Sequence, residues 1–257
     1  MVSCLYFVGV ADWPSAERSA QRCQALCEPL DDRVNWTNAQ AVRFWMSHYR
    51  SHEAAAYDAA RNLHDRATQT GNQQHRAWAL RFLALCALRR DAPRDAATHL
   101  VAALECLGET AAHNERVSTL GILALAQLRS GDTWSARATA KEGLAQIVRA
   151  RRPIGHSTLE GYSSLVTVAL DAWSEEHSPQ WRRAIKACVR VLQRYRTSFP
   201  VGEPRYQLHR GDYERALGRP RGAERHYRRG HAAAMRLGMR WEAARCAEAL
   251  ERIPTRP

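Results

Sequence analysis

Apolar and polar positions along residues 114–149 follow the pattern of two consecutive amphipathic helices. In the first half, apolar residues recur at three- and four-residue spacing, which is typical of a helix with one buried face. They are Val117, Leu120, Leu123, Ala124 and Leu128. Gly131 and Asp132 interrupt the pattern, and the second half resumes it with Ala136, Ala140, Leu144 and Ile147. The pattern predicts a helical hairpin with the small residue Ala136 near the helix crossing.

This hairpin recurs along the whole chain. Small residues occupy the position of Ala136 in six successive second helices: Ala16, Ala56, Ala96, Ala136, Ala184 and Ala223. The steps between them are 40, 40, 40, 48 and 39 residues, and a nearly fixed period of this length indicates a solenoid. Five positions before each anchor lies a turn-forming or small residue: Ala11, Ser51, Asp91, Gly131, Pro179 and Gly218. We therefore expect an all-α chain of about six hairpins.

The breaks in the pattern set the predicted boundaries. We expect a loop over residues 31–37, and we place the extra residues of the fifth unit in a loop over 174–178. Residues 149–155 are the most linker-like segment, so the solenoid is expected to be one domain, 1–257, with a division into 1–150 and 156–257 as the alternative. A last helix over 240–252 is expected to cap the array.

The hairpins resemble tetratricopeptide repeats (TPRs). Ala84, Ala124 and Gly211 lie twelve positions before their anchors, and Leu83 and Leu123 precede two of them, which matches the leucine-small pair of that family. The period near 40 exceeds the family's roughly 34 residues. The chain most resembles the longer repeats at the carboxyl end of large bacterial signalling ATPases. Examples of these ATPases are maltose-regulator-like activators and ATPase-linked adenylate cyclases or kinases. Residues 217–253 are especially similar to those repeats. The resemblance implies a right-handed α-solenoid, a bacterial source and a regulatory role.

Composition narrows the possible partners. The formal net charge is +12, which invites nucleic-acid binding, but only two of the 38 basic residues are lysines and the arginines are spread over the chain. The dispersal disfavours a nucleic-acid site, and the excess of arginine over lysine is explained by a GC-rich genome. No segment has the ~20 apolar residues needed to span a membrane, and the first ten residues lack a basic leader. We therefore expect a cytoplasmic protein.

No motif for catalysis or metal binding stands out. The chain has no GxxxxGK[ST] phosphate loop, no GxSxG and no HExxH sequence. Cys23 and Cys27 lie one helical turn apart without a second pair at zinc spacing, so they are assigned to the core. His48 and His52 are interpreted as a solvated pair at a helix end. We predict that the protein is not an enzyme and needs no cofactor or metal.

The remaining candidate site is the inner, concave groove. In the repeats that this chain resembles, the first helix of each hairpin lines the groove, and the ligand-facing positions lie 18, 15, 11 and 7 residues before the anchor. Carried onto this sequence, that implication selects eight aromatic and charged candidates: Trp45, Tyr49, Trp78, Arg81, Arg89, Arg129, Arg205 and Asp212. Stacking and charge-assisted hydrogen bonds from such residues would suit an acidic peptide or helix.

The sequence predicts a protein-interaction scaffold, acting as the sensor or adaptor part of a bacterial signalling system and binding a protein or peptide partner in this groove. One alternative is a small-molecule receptor or enzyme whose pocket is lined by His48, Tyr49, Trp78 and Arg81. The second alternative is nucleic-acid binding through the basic surface. The sequence leaves the oligomeric state, and whether the chain belongs to a larger ATPase, cyclase or kinase, undetermined.

Overall fold

The computed structural model describes residues 2–108, 112–149 and 156–253, and over these ranges the chain forms thirteen α-helices and no strand. They are α1 (Val2–Gly9), α2 (Trp13–Cys27), α3 (Arg33–Tyr49), α4 (Glu53–Thr70), α5 (Gln73–Arg89), α6 (Pro93–Leu107), α7 (His113–Arg129), α8 (Thr133–Arg149), α9 (Leu159–Glu176), α10 (Pro179–Ser198), α11 (Glu203–Ala216), α12 (Pro220–Leu237) and α13 (Arg240–Glu251). Short 3₁₀ turns at His156–Thr158 and Pro200–Gly202 precede α9 and α11.

Consecutive helices pack in pairs, as the periodicity predicts. The hairpins are α1/α2, α3/α4, α5/α6, α7/α8, α9/α10 and α11/α12, and α13 packs on the last of them. Five of the six anchors are buried at the crossings: Ala16, Ala56, Ala96, Ala136 and Ala223. The small residues expected in the first helices are buried as well, and Gly211 lies so close to Tyr227 that a Cβ would clash with its ring. The all-α hairpin architecture is confirmed.

The turn within each hairpin depends on one residue in the left-handed region. Ala11, Ser51, Asp91, Gly131 and Gly218 all have φ between 56° and 90°, and each lies five residues before its anchor. Glycine adopts this conformation without a steric penalty, whereas it costs other residues about 1 kcal/mol of conformational energy. Its recurrence at alanine, serine and aspartate shows that the packing of the two helices imposes the turn geometry.

The fifth hairpin departs from the prediction. Its left-handed residue is His177, and the fully buried residue of α10 is Ile185, whereas the predicted anchor Ala184 is only half-buried. The predicted loop over 174–178 is wrong for residues 174–176, because α9 continues to Glu176 and the connection consists of His177 and Ser178. The Glu176 carboxylate accepts a hydrogen bond from Trp181 Nε1 (2.8 Å) and pairs with an arginine of α8, which holds the extra residues in helical form.

The expected loop over 31–37 is also wrong for most of its length. Helix α3 begins at Arg33, because Asp32 caps its amino end by accepting hydrogen bonds from the Asn35 backbone N–H (3.1 Å) and side-chain amide (2.7 Å). The linker expected at 149–155 lies outside the described residues beyond position 149.

First helices form an inner layer that is buried on nearly all sides. In α5, every residue from 79 to 88 is buried, whereas α4 buries only five residues along one stripe. The ends of the chain enclose this layer: Trp13 Nε1 donates to the Leu237 carbonyl (2.8 Å), and the Trp241 backbone N–H donates to Ser51 Oγ (3.1 Å). The first two hairpins thus meet α12 and α13, so the inner faces surround one enclosed centre.

No helix within the described ranges is long and apolar enough to cross a membrane.

Two glycines allow α7 and α9 to cross at backbone contact. A Cβ on Gly121 would lie 2.3 Å from the Gly161 carbonyl oxygen, and one on Gly161 would lie 2.6 Å from Ser118 Cα. Backbone atoms cannot move aside as a side-chain tip can. This crossing packs the hairpin that precedes residues 150–155 against the hairpin that follows them.

Replacement of this contact should destabilise the fold. We expect Gly161→Ala to lower the free energy of unfolding by about 1–3 kcal/mol, because the methyl group overpacks against backbone. The matched control is Gly143→Ala in α8, whose methyl would meet mainly Leu165 side-chain carbons at 3.3 Å or more. It should stay within about 1 kcal/mol of the parent, since helix propensity favours alanine. Chemical denaturation measures both, and equal stability of the two variants would contradict the crossing.

Candidate functional site

A buried ion cluster occupies the enclosed centre. Arg205 of α11 donates to both carboxylate oxygens of Glu160 in α9, with Nη1–Oε2 at 2.8 Å and Nη2–Oε1 at 3.0 Å. The same guanidinium donates to Glu242 Oε1 of α13 through Nη2 (2.9 Å) and Nε (3.1 Å). All three side chains are at most 6% exposed. One arginine thus holds two carboxylates and ties three helices together.

The two carboxylates have opposite pKa shifts. Burial alone would raise the pKa of Glu160, but the charge of Arg205 and the hydrogen bond from His48 outweigh it and hold the pKa well below its usual value. Burial dominates at Glu242 and raises its pKa, although Arg205 and Arg89 oppose the shift. Glu160 is therefore the firmly ionised partner of Arg205.

His48 extends the cluster to α3. Its Nε2 lies 3.1 Å from Glu160 Oε1, and its side chain is buried. Burial and the charge of Arg89 lower its pKa to about 4 against the opposing effect of Glu160. The imidazole is therefore neutral near pH 7, and because an ionised carboxylate can only accept, Nε2 carries the hydrogen. The interpretation of His48 as a solvated helix-end residue is wrong.

The ring of Trp241 in α13 packs against three arginine side chains. The guanidinium carbons of Arg89, Arg205 and Arg245 lie 4.4, 4.9 and 5.1 Å from its ring centroid. These distances are within the range of cation–π contacts. The aromatic face offsets part of the repulsion among three cations that would otherwise be poorly solvated.

A cavity of about 60 Å³ opens beside this cluster, lined by residues of six elements. Its charged residues and imidazoles are His48, Arg89, Arg129, Glu160, Arg205, His209 and Arg245, and Ser163, Ser164 and Thr167 add hydroxyl groups. Arg89 is incompletely satisfied: Nη2 donates to the His48 carbonyl (3.2 Å) and lies 4.0 Å from Glu242 Oε1, while its buried Nη1 has no hydrogen-bond partner among the described residues. A buried donor of this kind can bind an acceptor supplied from outside.

Three of the eight predicted groove residues meet at this cavity. Arg89 and Arg205 are buried there, and Arg129 is exposed at its edge, where Nη1 donates to the Leu88 carbonyl (3.2 Å). Asp212 does not line it. Its carboxylate accepts from Tyr227 Oη (2.9 Å) and lies 3.4 Å from His209 Nδ1.

The other four predicted residues lie elsewhere. Trp45 and Tyr49 are buried and stack on each other with ring centroids 5.5 Å apart, so neither presents its ring on an open groove. Trp78 and Arg81 line a second cavity, together with one edge of Trp45. The pocket considered as the alternative, with His48, Tyr49, Trp78 and Arg81, is therefore divided: His48 faces the arginine cavity, and Tyr49 lines neither cavity.

Several residues of the centre were absent from the sequence-based selection. Glu160 and Gly161 follow Leu120 and Gly121 by 40 residues, so extending the period into the fifth unit would have drawn attention to them. Trp241, Glu242 and Arg245 lie in the last helix, which is expected to cap the array. No local pattern shows that the last helix turns its aromatic and charged residues inward, because that depends on closure of the array.

The cysteines Cys23 and Cys27 and the adjacent acidic residues Glu175 and Glu176 make structural contacts. Cys23 and Cys27 sulfurs are 3.9 Å apart, and among the described residues no group of three or more candidate ligands could hold a metal ion. Glu175 and Glu176, expected in a loop, lie in the last turn of α9 and pair with Arg137.

Comparison with known proteins does not assign a relative: no protein-family model matches the chain, and no curated protein matches it.

Loss of Arg205 should be costly, because it would leave two buried carboxylates without their shared cation. We expect Arg205→Met to lower the free energy of unfolding by about 3–5 kcal/mol. Arg137→Met is the matched control, since it removes an arginine with carboxylate partners that are 37–59% exposed. That change should cost about 1 kcal/mol or less. Denaturant unfolding compares the two, and similar losses would argue against a special role for the buried cluster.

The stability of the fold should depend on the protonation of His48. Its folded pKa, about 4, lies below the ordinary 6.5, so the unfolded chain takes up a proton between these values and the folded chain does not. The free energy of unfolding contributed by this group therefore falls as the pH decreases from 6.5 to 4.

The matched variant is His48→Gln, which keeps a donor for Glu160 and does not titrate. Relative to this variant, the parent should lose about 2 kcal/mol between about pH 7 and about pH 5. Denaturant unfolding at both pH values provides the measurement. A constant difference would show that His48 titrates normally.

Proposed function

We propose that this protein is a non-catalytic interaction scaffold, a TPR-like right-handed α-solenoid that recognises an acidic group of a protein partner at its central arginine cavity. The observation that carries the proposal is the convergence of Arg89, Arg205 and Arg245 on Trp241 beside a cavity, with the buried Nη1 of Arg89 unpaired among the described residues.

The charge of the cavity favours an anion. Four arginines line it together with Glu160, and Arg205 also binds Glu242. Arg89 Nη2 lies 4.0 Å from Glu242 Oε1. Two positive charges remain in excess. A guanidinium binds a carboxylate through parallel hydrogen bonds, and such charge-assisted bonds are about twice as strong as neutral ones.

The dimensions limit what can enter. A volume of about 60 Å³ admits one carboxylate with a water molecule or two, but no peptide backbone. We therefore place an acidic side chain or a terminal carboxylate of the partner inside, with the rest of the partner on the surface around exposed Arg129. Arginine and tryptophan are the residues most often found at the energetic centre of protein interfaces.

The net charge of +12 adds long-range attraction for an acidic partner. A regulatory role as the sensor or adaptor part of a bacterial signalling system rests on the sequence resemblance alone. The cavity arrangement supports a non-catalytic assignment: Ser163 and Ser164 line it with His48, yet neither hydroxyl hydrogen-bonds to the imidazole in the described structure.

A peptide-binding measurement tests the proposal. The probe is a fluorescein-labelled octaglutamate peptide, compared with octaglutamine, in a polarisation assay. Only the acidic peptide should bind, and Arg129→Gln or Arg245→Gln should weaken binding about tenfold, which corresponds to loss of one charge-assisted bond. Arg129 is exposed and Arg245 is only partly buried, so their replacement should preserve folding.

Arg183→Gln is the matched control, because Arg183 is exposed on the second helix α10. It should change affinity less than about twofold. Absence of octaglutamate binding, or an equal loss with Arg183→Gln, would overturn the cavity as the site. Tight binding of single-stranded RNA that declines steeply with salt and is unaffected by Arg129→Gln would favour nucleic acid instead.

A further inference from the structure

A second cavity, of about 250 Å³, lies between α3, α5, α7 and the 3₁₀ turn before α9. Its lining is Leu5, Asn38, Ala41, Trp45, Trp78, Arg81, Phe82, Glu115, His156 and Ser157. None of these residues lines the arginine cavity, so the two spaces are separate.

Aromatic rings form much of its wall. Trp45 meets Phe82 edge to face at 5.1 Å and His156 edge to face at 5.9 Å. Because the edge-to-face contacts fix these rings relative to one another, the aromatic wall is preorganised. Flat, rigid walls of this type suit a planar ring and cost little entropy when one binds.

Three buried polar atoms of the lining residues have no hydrogen-bond partner in the described part of the chain: Trp78 Nε1, Arg81 Nε and His156 Nε2. The Arg81 side chain is only 2% exposed. Leaving a buried donor unsatisfied costs about 1–3 kcal/mol, and the great majority of such groups in proteins are paired. Two N–H donors and one imidazole nitrogen without partners at one cavity indicate a ligand with complementary polar atoms, including acceptors for the two donors.

The cavity is electrically balanced, which distinguishes it from the arginine cavity. Arg81 Nη1 forms a 2.5 Å ion pair with Glu115 Oε2, and Glu115 Oε1 accepts from Ser157 Oγ (3.3 Å). Burial lowers the pKa of His156 to about 4, so this ring is neutral near pH 7. An anionic ligand would be repelled by Glu115, and a cationic one by Arg81.

We propose that this cavity binds a small, uncharged, planar heteroaromatic molecule of one or two rings, whose ring nitrogens or carbonyl oxygens accept from Trp78 Nε1 and Arg81 Nε. The aromatic wall contacts the faces and edges of the ring system. The volume lies just below the roughly 300–1,000 Å³ of sites for drug-sized ligands, which sets the limit of two rings. This site goes beyond the partner-binding function and does not depend on it.

Isothermal calorimetry on the full chain tests the site with adenine, hypoxanthine and nicotinamide as probes. We expect at least one to bind with a dissociation constant of about 10 µM to 1 mM, as its few non-hydrogen atoms allow. Trp78→Phe keeps a six-membered aromatic ring but removes the five-membered ring with its N–H, so it should weaken binding about tenfold. Trp134→Phe, at a tryptophan that is 80% exposed, is the matched control and should leave binding unchanged.

Thermal unfolding without ligand supplies the folding control. Trp78→Phe removes an unsatisfied buried donor together with part of the packed indole, and because these effects oppose each other the variant should keep a cooperative transition close to the parent's melting temperature. The proposal is overturned if none of the three probes binds at up to about 5 mM, if benzoate binds and the neutral probes do not, or if the Trp78 and Trp134 variants bind alike. Arg129→Gln should not affect these probes, which separates this outcome from that of the partner-binding experiment.

Discussion

The bifurcated ion pair of Arg205 with Glu160 and Glu242 is the interaction on which the centre of the molecule depends. It connects α9, α11 and α13, and through His48 and Arg89 it reaches α3 and α5. Buried ions are expensive to desolvate, so each must be paired with good geometry. These contacts form only when the first and last parts of the chain are in place, so the ion cluster depends on correct closure of the array.

Closure also determines what the inner face can do. An open solenoid would present its first helices as a broad groove, whereas here Trp13 and Trp241 bring the two ends of the described chain together. Two of the cavities lined by the first helices differ in character. One carries excess positive charge and an unpaired guanidinium nitrogen; the other is aromatic and neutral. Their different chemistry suggests separate ligands, an acidic partner group and a small heteroaromatic molecule, and a scaffold able to respond to both.

The predicted groove residues illustrate how far sequence spacing reaches. The groove positions implied by the TPR resemblance include Arg89, Arg129 and Arg205, and these three line one cavity, with Arg129 exposed at its edge. The same set of positions includes Trp45 and Tyr49, which are buried in the core. Spacing gives the direction of a side chain but not its distance from the helices that face it. Arg81 has a separate role, since its partner Glu115 comes from the next hairpin at a distance that the sequence does not encode locally.

By itself, the sequence determined the local architecture: the 3.6-residue apolar period and the 40-residue repeat define the hairpins, and the residues at Ala11, Ser51, Asp91, Gly131 and Gly218 mark their turns. These signals act between near neighbours, so they can be read from the chain. Only the tertiary structure decided the curvature of the array, the Gly121–Gly161 crossing, the inward orientation of α13 and the pairing of Glu160 with Arg205. Small angles between successive hairpins accumulate into closure, and that sum depends on side-chain packing at every interface rather than on any single motif.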